Sequence, residues 1–152
     1  MPGLHPSDLR ERVFEFACAV VVFCRELSKE PGVNREIAWQ LAAAATSVGS
    51  NLEEAKAAYS RRDFAAKNAI SLKECRETLY WLRVIQRCRL APDVRLAPLL
   101  SEANELTAML TAGMKRLRPV ASRVLAVMVF AVVLISHFSV LSSEFSVLSS
   151  QF

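Results

Sequence analysis

Basic side chains are the richest source of chemistry in this sequence. Residues 60–89 carry eight Lys and Arg against three Asp and Glu, an excess larger than the net +4 of the whole 152-residue chain. At 100° per residue, Arg61, Arg83, Arg76, Arg87, Arg62 and Lys73 fall within about 120° of a helix circumference. Clustered charge of this kind neutralises phosphates and releases their counterions without any catalytic geometry, so these six residues are candidates for binding nucleic acid. The plainer reading, a solvated face whose arginines pair with acids on a neighbouring helix, stands beside it.

Catalytic material is scarce. Glu53, Glu54, Glu74 and Glu77 suggest a bundle carboxylate site, but di-iron bundles need Glu-x-x-His motifs, and the only histidines, His5 and His137, lie in the flanks. Ser47, Ser50 and Ser71 have no histidine partner and no G-x-S-x-G context, and no phosphate-binding P-loop is present. Cys18, Cys24, Cys75 and Cys88 contain no C-x-x-C pair and sit in apolar helical patterns, which predicts buried free thiols rather than zinc ligands or nucleophiles. The expectation is a protein that is not an enzyme and uses no metal or cofactor. Trp39, Tyr80 and Trp81 offer faces for base stacking, but at helical spacing they are read first as core.

The elements that carry these residues are helical. Apolar residues make up 53% of the chain and charged residues 22%, with 4 Gly and 6 Pro, which excludes a disordered chain and a many-stranded β fold. Ser7 caps a first helix running to about Lys29 on a stripe of Val13, Phe16, Ala17, Val20, Cys24 and Leu27. Pro31-Gly32 breaks it. Asn34 is the expected cap of a second helix, with Ile37, Leu41, Ala45, Val48, Leu52 and Ala55 on one face. Ser60 and Asp63 resemble a capping box at the head of a third helix that continues to Arg89. After Pro92-Asp93, Leu99, Ala103, Leu106, Leu110, Gly113 and Leu117 mark a fourth, stopped by Pro119. The predicted fold is all-α, an antiparallel up-down-up-down four-helix bundle over residues 7–118. With no secretory pattern in Met1 to Arg10 and free thiols, a cytoplasmic location is expected.

Two features exceed what a single bundle needs. On the third helix, Phe64, Cys75, Leu79 and Leu82 make the core arc, while Ile70, Trp81, Val84 and Cys88 make a second one more than about 100° away. With Glu74 and Glu77 close by, the second arc has the mixed composition of a contact surface that a second subunit or the C-terminal tail could cover, and self-association through it, a homo-oligomer, is the expectation. Beyond Pro119, residues 119–152 form an atypical apolar, Ser-rich extension. Val124 to Ile135 is uncharged over 12 residues, and Phe-Ser-Val-Leu-Ser-Ser occurs at 138–143 and again at 145–150. That run is shorter than the roughly 20 residues of a membrane-spanning helix. Membrane contact by the tail is open without being the favoured reading, and the tail is expected to be dispensable for folding.

Ser47-Val48-Gly49-Ser50-Asn51-Leu52-Glu53-Glu54-Ala55 resembles the S-I-P-S-N-I-A-E-G signature of the bacterial four helix bundle protein family. Asp63-Phe64 and the run from Ile70 to Leu82, with Lys73-Glu74, Glu77-Thr78 and Tyr80-Trp81-Leu82, are similar to its K-E-x-x-E-T-x-Y-W-L segment. The family includes proteins encoded in intervening sequences of large-subunit ribosomal RNA genes and accessory variability proteins of diversity-generating retroelements. Gly49 stands where the family usually has Pro, and Ala55 where it has Gly. The resemblance implies a homopentameric ring whose basic surface, in the retroelement members, binds nucleic acid and the reverse transcriptase. Asn51 and Glu54, which match the signature, are expected to bond to polar groups of the third helix such as Lys73 or Thr78, fixing register. Together these readings predict a non-catalytic, oligomeric accessory protein that binds RNA or DNA and assists a reverse transcriptase. The alternative is a protein–protein interaction module, or a ribosomal RNA intervening-sequence protein without direct nucleic-acid binding.

Overall fold

The computed structural model describes residues 9–117, which form four helices: α1 (Leu9–Leu27), α2 (Val33–Lys56), α3 (Arg61–Arg87) and α4 (Asp93–Leu117). The expectations for Ser7, His5, His137 and residues 119–152 lie outside the described residues. Among the described residues, no helix is long and apolar enough to cross a membrane.

Apolar spacing decides which face of each helix turns inward. On α1, Val13, Phe16, Ala17, Val20, Phe23, Cys24 and Leu27 are all buried, and on α2 Leu41, Ala45, Val48, Leu52 and Ala55 follow the predicted stripe. They meet Leu82 and Ile85 of α3 and Leu96, Leu99, Ala103, Leu106 and Leu110 of α4 in one core. Each large side chain removed from water contributes about 1.5–3 kcal/mol.

Cross-helix contacts order the helices in a closed ring. The buried Ser71 hydroxyl donates to the Val48 carbonyl at 3.0 Å, joining α3 to α2. Cys75 Sγ lies 3.2 Å from Thr107 Oγ1, joining α3 to α4. Arg12 reaches from α1 to Glu102 and Glu105 of α4, and Arg10 from α1 to Glu53 of α2 at 3.9 Å. Early α1 thus lies beside the middle of α4, while Phe23 late in α1 sits 5.8 Å from the Arg95 guanidinium early in α4, as antiparallel packing requires.

The helix ends depart from expectation in two places. Asn34 does not cap α2: it is buried in the first turn and donates Nδ2 to Glu30 Oε2 at 2.8 Å. The N-cap is Gly32 at φ 87, a conformation that glycine adopts without steric penalty and that turns the chain sharply after Pro31. At α3 the capping box forms as predicted in its first half, with Ser60 Oγ accepting from Asp63 N at 3.1 Å. The return bond is made one residue further back, Tyr59 N donating to Asp63 Oδ2 at 3.3 Å.

The other end of α3 closes in a Schellman motif, with Arg89 N donating to Gln86 O at 3.1 Å and Leu90 N to Ile85 O at 3.0 Å. The left-handed residue this motif requires, usually glycine, is Arg89 at φ 54.

The core arc of α3 also differs from the predicted one. Phe64 is exposed and Leu79 only partly buried, whereas Ser71, Cys75, Thr78, Leu82 and Ile85 are the inward residues. Ser71 and Thr78 can occupy that strip because each hydroxyl returns to a backbone carbonyl, Thr78 to Glu74 O at 2.9 Å. Small side chains there let α2 approach through Ala44 and Ala45, both buried.

Candidate nucleic-acid interface

All six residues of the basic stripe, Arg61, Arg62, Lys73, Arg76, Arg83 and Arg87, are exposed. Among the described residues, the ion pairs involve Arg10, Arg12, Arg25, Lys29 and Lys67, and none involves the stripe. The stripe is therefore a solvated face whose arginines are not matched by acids of a neighbouring helix. Lys67, on the opposite side of α3, shows the contrast: it is paired with Glu54 of α2, whose carboxylate raises its pKa.

That pairing corrects the predicted register network. Glu54 takes Lys67 rather than Lys73 or Thr78. Asn51 stays on its own helix, with Nδ2 2.9 Å from the Ser47 carbonyl and 3.2 Å from its hydroxyl. Thr78 donates within α3, and Lys73 points to solvent with the stripe. Lys67 prevails because α2 and α3 run antiparallel from the turn at residues 57–60, so positions near that turn face each other.

Aromatic residues separate more sharply than their spacing suggests. Trp39 is 71% exposed and Tyr80 57%, so neither belongs to the core. Trp81 is partly buried against the core and donates Nε1 to Glu77 Oε1 at 3.3 Å. The Tyr80 ring stands edge-to-face on Trp81, with centroids 5.1 Å apart and planes at 71°. On the helical wheel Tyr80 falls at about 100° from Arg61, inside the basic stripe. That angle follows from the sequence alone.

At the C-terminal end of α3, Tyr80, Arg83, Gln86, Arg87, Cys88 and Arg89, together with Val84, share one surface patch. Arg89 joins the candidate residues here; no helical angle could place it, because it lies beyond the last helical residue.

The predicted oligomer surface is mixed. Ile70 and Cys88 are exposed, Val84 is partly buried, and Trp81 is tucked against the core. A second apolar surface lies elsewhere: Phe14, Cys18, Val21 and Val22 of α1 line a groove of about 800 Å³ against Thr46, Gly49 and Ser50 of α2. Phe14 is 58% exposed and Val22 51%. The groove also revises the cysteines, since Cys18 and Cys88 are exposed and only Cys24 and Cys75 buried. Burial pushes the Cys24 thiol up to about 12 and raises that of Cys75 as well. Among the described residues, no group of three or more His, Cys, Asp or Glu is placed to hold a metal ion.

The family model for 23S rRNA-intervening sequence proteins matches residues 7–112. A crystal structure at 1.70 Å resolution of a protein of unknown function from the S23 ribosomal protein family of Bacteroides thetaiotaomicron superposes with a TM-score of 0.66 at 30% identity. The match covers 71% of this chain and 99% of that one. No curated protein matches the chain.

Proposed function

The chain belongs to the 23S rRNA-intervening sequence protein family, and from that premise we propose that it is a non-catalytic, oligomeric accessory protein that binds nucleic acid through the outer face of α3. The observation carrying this reading is that six cations share one helix face with no carboxylate paired to them among the described residues. Cations that serve the fold are placed differently here: Arg12 and Lys67 each hold an acid on another helix. RNA is the first ligand to test. Assistance to a retroelement reverse transcriptase, and assembly as a pentamer, are the finer parts of the proposal and rest on the resemblance in residues 47–55 and 63–82.

Electrophoretic shift with a structured RNA at about 50 mM salt tests the core of it. Binding at micromolar protein is expected, with log K falling against log salt at a slope between about −4.2 and −5.4 if all six cations contact phosphates. Absence of a shift under those conditions ends this reading.

The groove beside Phe14 and Val22 favours a second reading, a protein–protein interaction module, which also accounts for self-association. Light scattering on the full chain is expected to give an oligomer. A clean monomer leaves both the groove and the Ile70 and Val84 arc without their proposed partner.

A further inference from the structure

We propose that the C-terminal end of α3 is a subsite for an unpaired nucleotide, with the base stacked on Tyr80 and the adjoining phosphates held by Arg83, Arg87 and Arg89. This rests on the nucleic-acid reading above and adds to it a preference for single-stranded over paired substrate.

Three observations carry the proposal. First, Tyr80 is a preset platform: it is 57% exposed, yet its ring is set edge-to-face on Trp81, and Trp81 is itself wedged against the core. An exposed aromatic face among cations is an arrangement by which single strands are bound, since each base presents a π-face and stacking needs no particular sequence. A duplex hides those faces in its own stack and offers only phosphates and groove edges.

Second, the guanidiniums are concentrated beyond what the fold requires. Arg83 and Arg87 stand four apart on one face, where like charges repel, and neither they nor Arg89 has an ion pair among the described residues. A helix C-terminus does favour cations, but Arg87 in the last turn already satisfies that preference without Arg89.

Third, Arg89 occupies the left-handed position at φ 54, where a side chain is strained and glycine is not. It is exposed, so packing does not repay the strain. What Arg89 adds is a third guanidinium on the surface patch that Tyr80 shares. Backbone strain held at a ligand-facing position is where function offsets stability.

The test is fluorescence anisotropy of the full chain with a labelled oligouridylate of about 12 nucleotides and a blunt RNA duplex of equal length. Tighter binding of the single strand by about tenfold is expected. Tyr80→Ala should lose about tenfold on the single strand and leave the duplex within twofold, and Tyr80→Phe should bind as the parent does. Arg89→Gly should raise the melting temperature yet weaken single-strand binding and lower the salt slope by about 0.7. Equal affinity for both probes, or no effect of Tyr80→Ala, overturns the subsite while the broader reading stands. Failure to bind either probe removes the broader reading itself. A melting gain without loss of affinity in Arg89→Gly overturns the role given to Arg89.

Discussion

Arg12 and the arginines of the outer α3 face are the same side chain in opposite surroundings. Arg12 lies between α1 and α4, where Nε is 2.5 Å from Glu102 Oε1 and Nη2 is 2.8 Å from Glu102 Oε2, with Glu105 bonded as well. Hydrogen bonds from these two carboxylates, Glu102 first, raise its pKa further above the ordinary range. On α3, Arg76, Arg83 and Arg87 have water around them and no acid paired to them among the described residues. A guanidinium held by carboxylates commits its hydrogen bonds to the fold; one exposed to solvent leaves them available. Residue type therefore says little about role until the partners are known.

The largest effect separating these two regions is expected from reversing the charge of Arg76, Arg83 and Arg87 to Glu together. RNA affinity at low salt should fall at least a hundredfold, about 2.8 kcal/mol, while the melting temperature measured by circular dichroism stays close to that of the parent. A comparable loss of stability would mean that the outer face supports the fold. Arg12→Ala should behave in the converse way. It leaves Glu102 and Glu105 facing each other without a cation, which should cost about 1–2 kcal/mol in urea denaturation with RNA affinity within twofold.

The smallest effect concerns inner and outer thiols. At pH 8 a thiol reagent should react promptly with Cys18 and Cys88 and leave Cys24 and Cys75 untouched until the chain unfolds. Because burial holds the folded Cys24 pKa near 12, above the unfolded thiol value of about 8.5, the unfolded state loses its proton first. Cys24 thus contributes stability that is complete below about pH 8.5 and declines as pH rises toward 12. A melting temperature that does not decline over that alkaline window would show the thiol to be more accessible than its surroundings imply.

Local patterns in the sequence translated well into the fold. The stripes on α1 and α2, the Ser60 and Asp63 capping pair and the breaks at Pro31-Gly32 and Pro92-Asp93 all depend on residues within a few positions of one another, and such signals survive whatever the rest of the chain does. The basic stripe was legible for the same reason. What spacing could not supply is the rotation of one helix against the next. That rotation turns Glu54 toward Lys67, brings Glu102 and Glu105 to Arg12 some ninety residues away, and moves the α3 core strip onto Ser71, Thr78 and Ile85. The stacking platform stayed hidden because Tyr80 and Trp81 are neighbours in sequence but differ in surroundings, one in water and one against the core.

Arg89 has a consequence at the level of the gene. Every arginine codon is a single nucleotide from a glycine codon, so the relaxed helix cap is always within reach of drift, and taking it would stabilise the fold by about 1 kcal/mol. On the proposed role of Arg89, stability and ligand binding pull this position in opposite directions. In copies of the gene released from the need to bind, it is the place where the sequence would be expected to relax first.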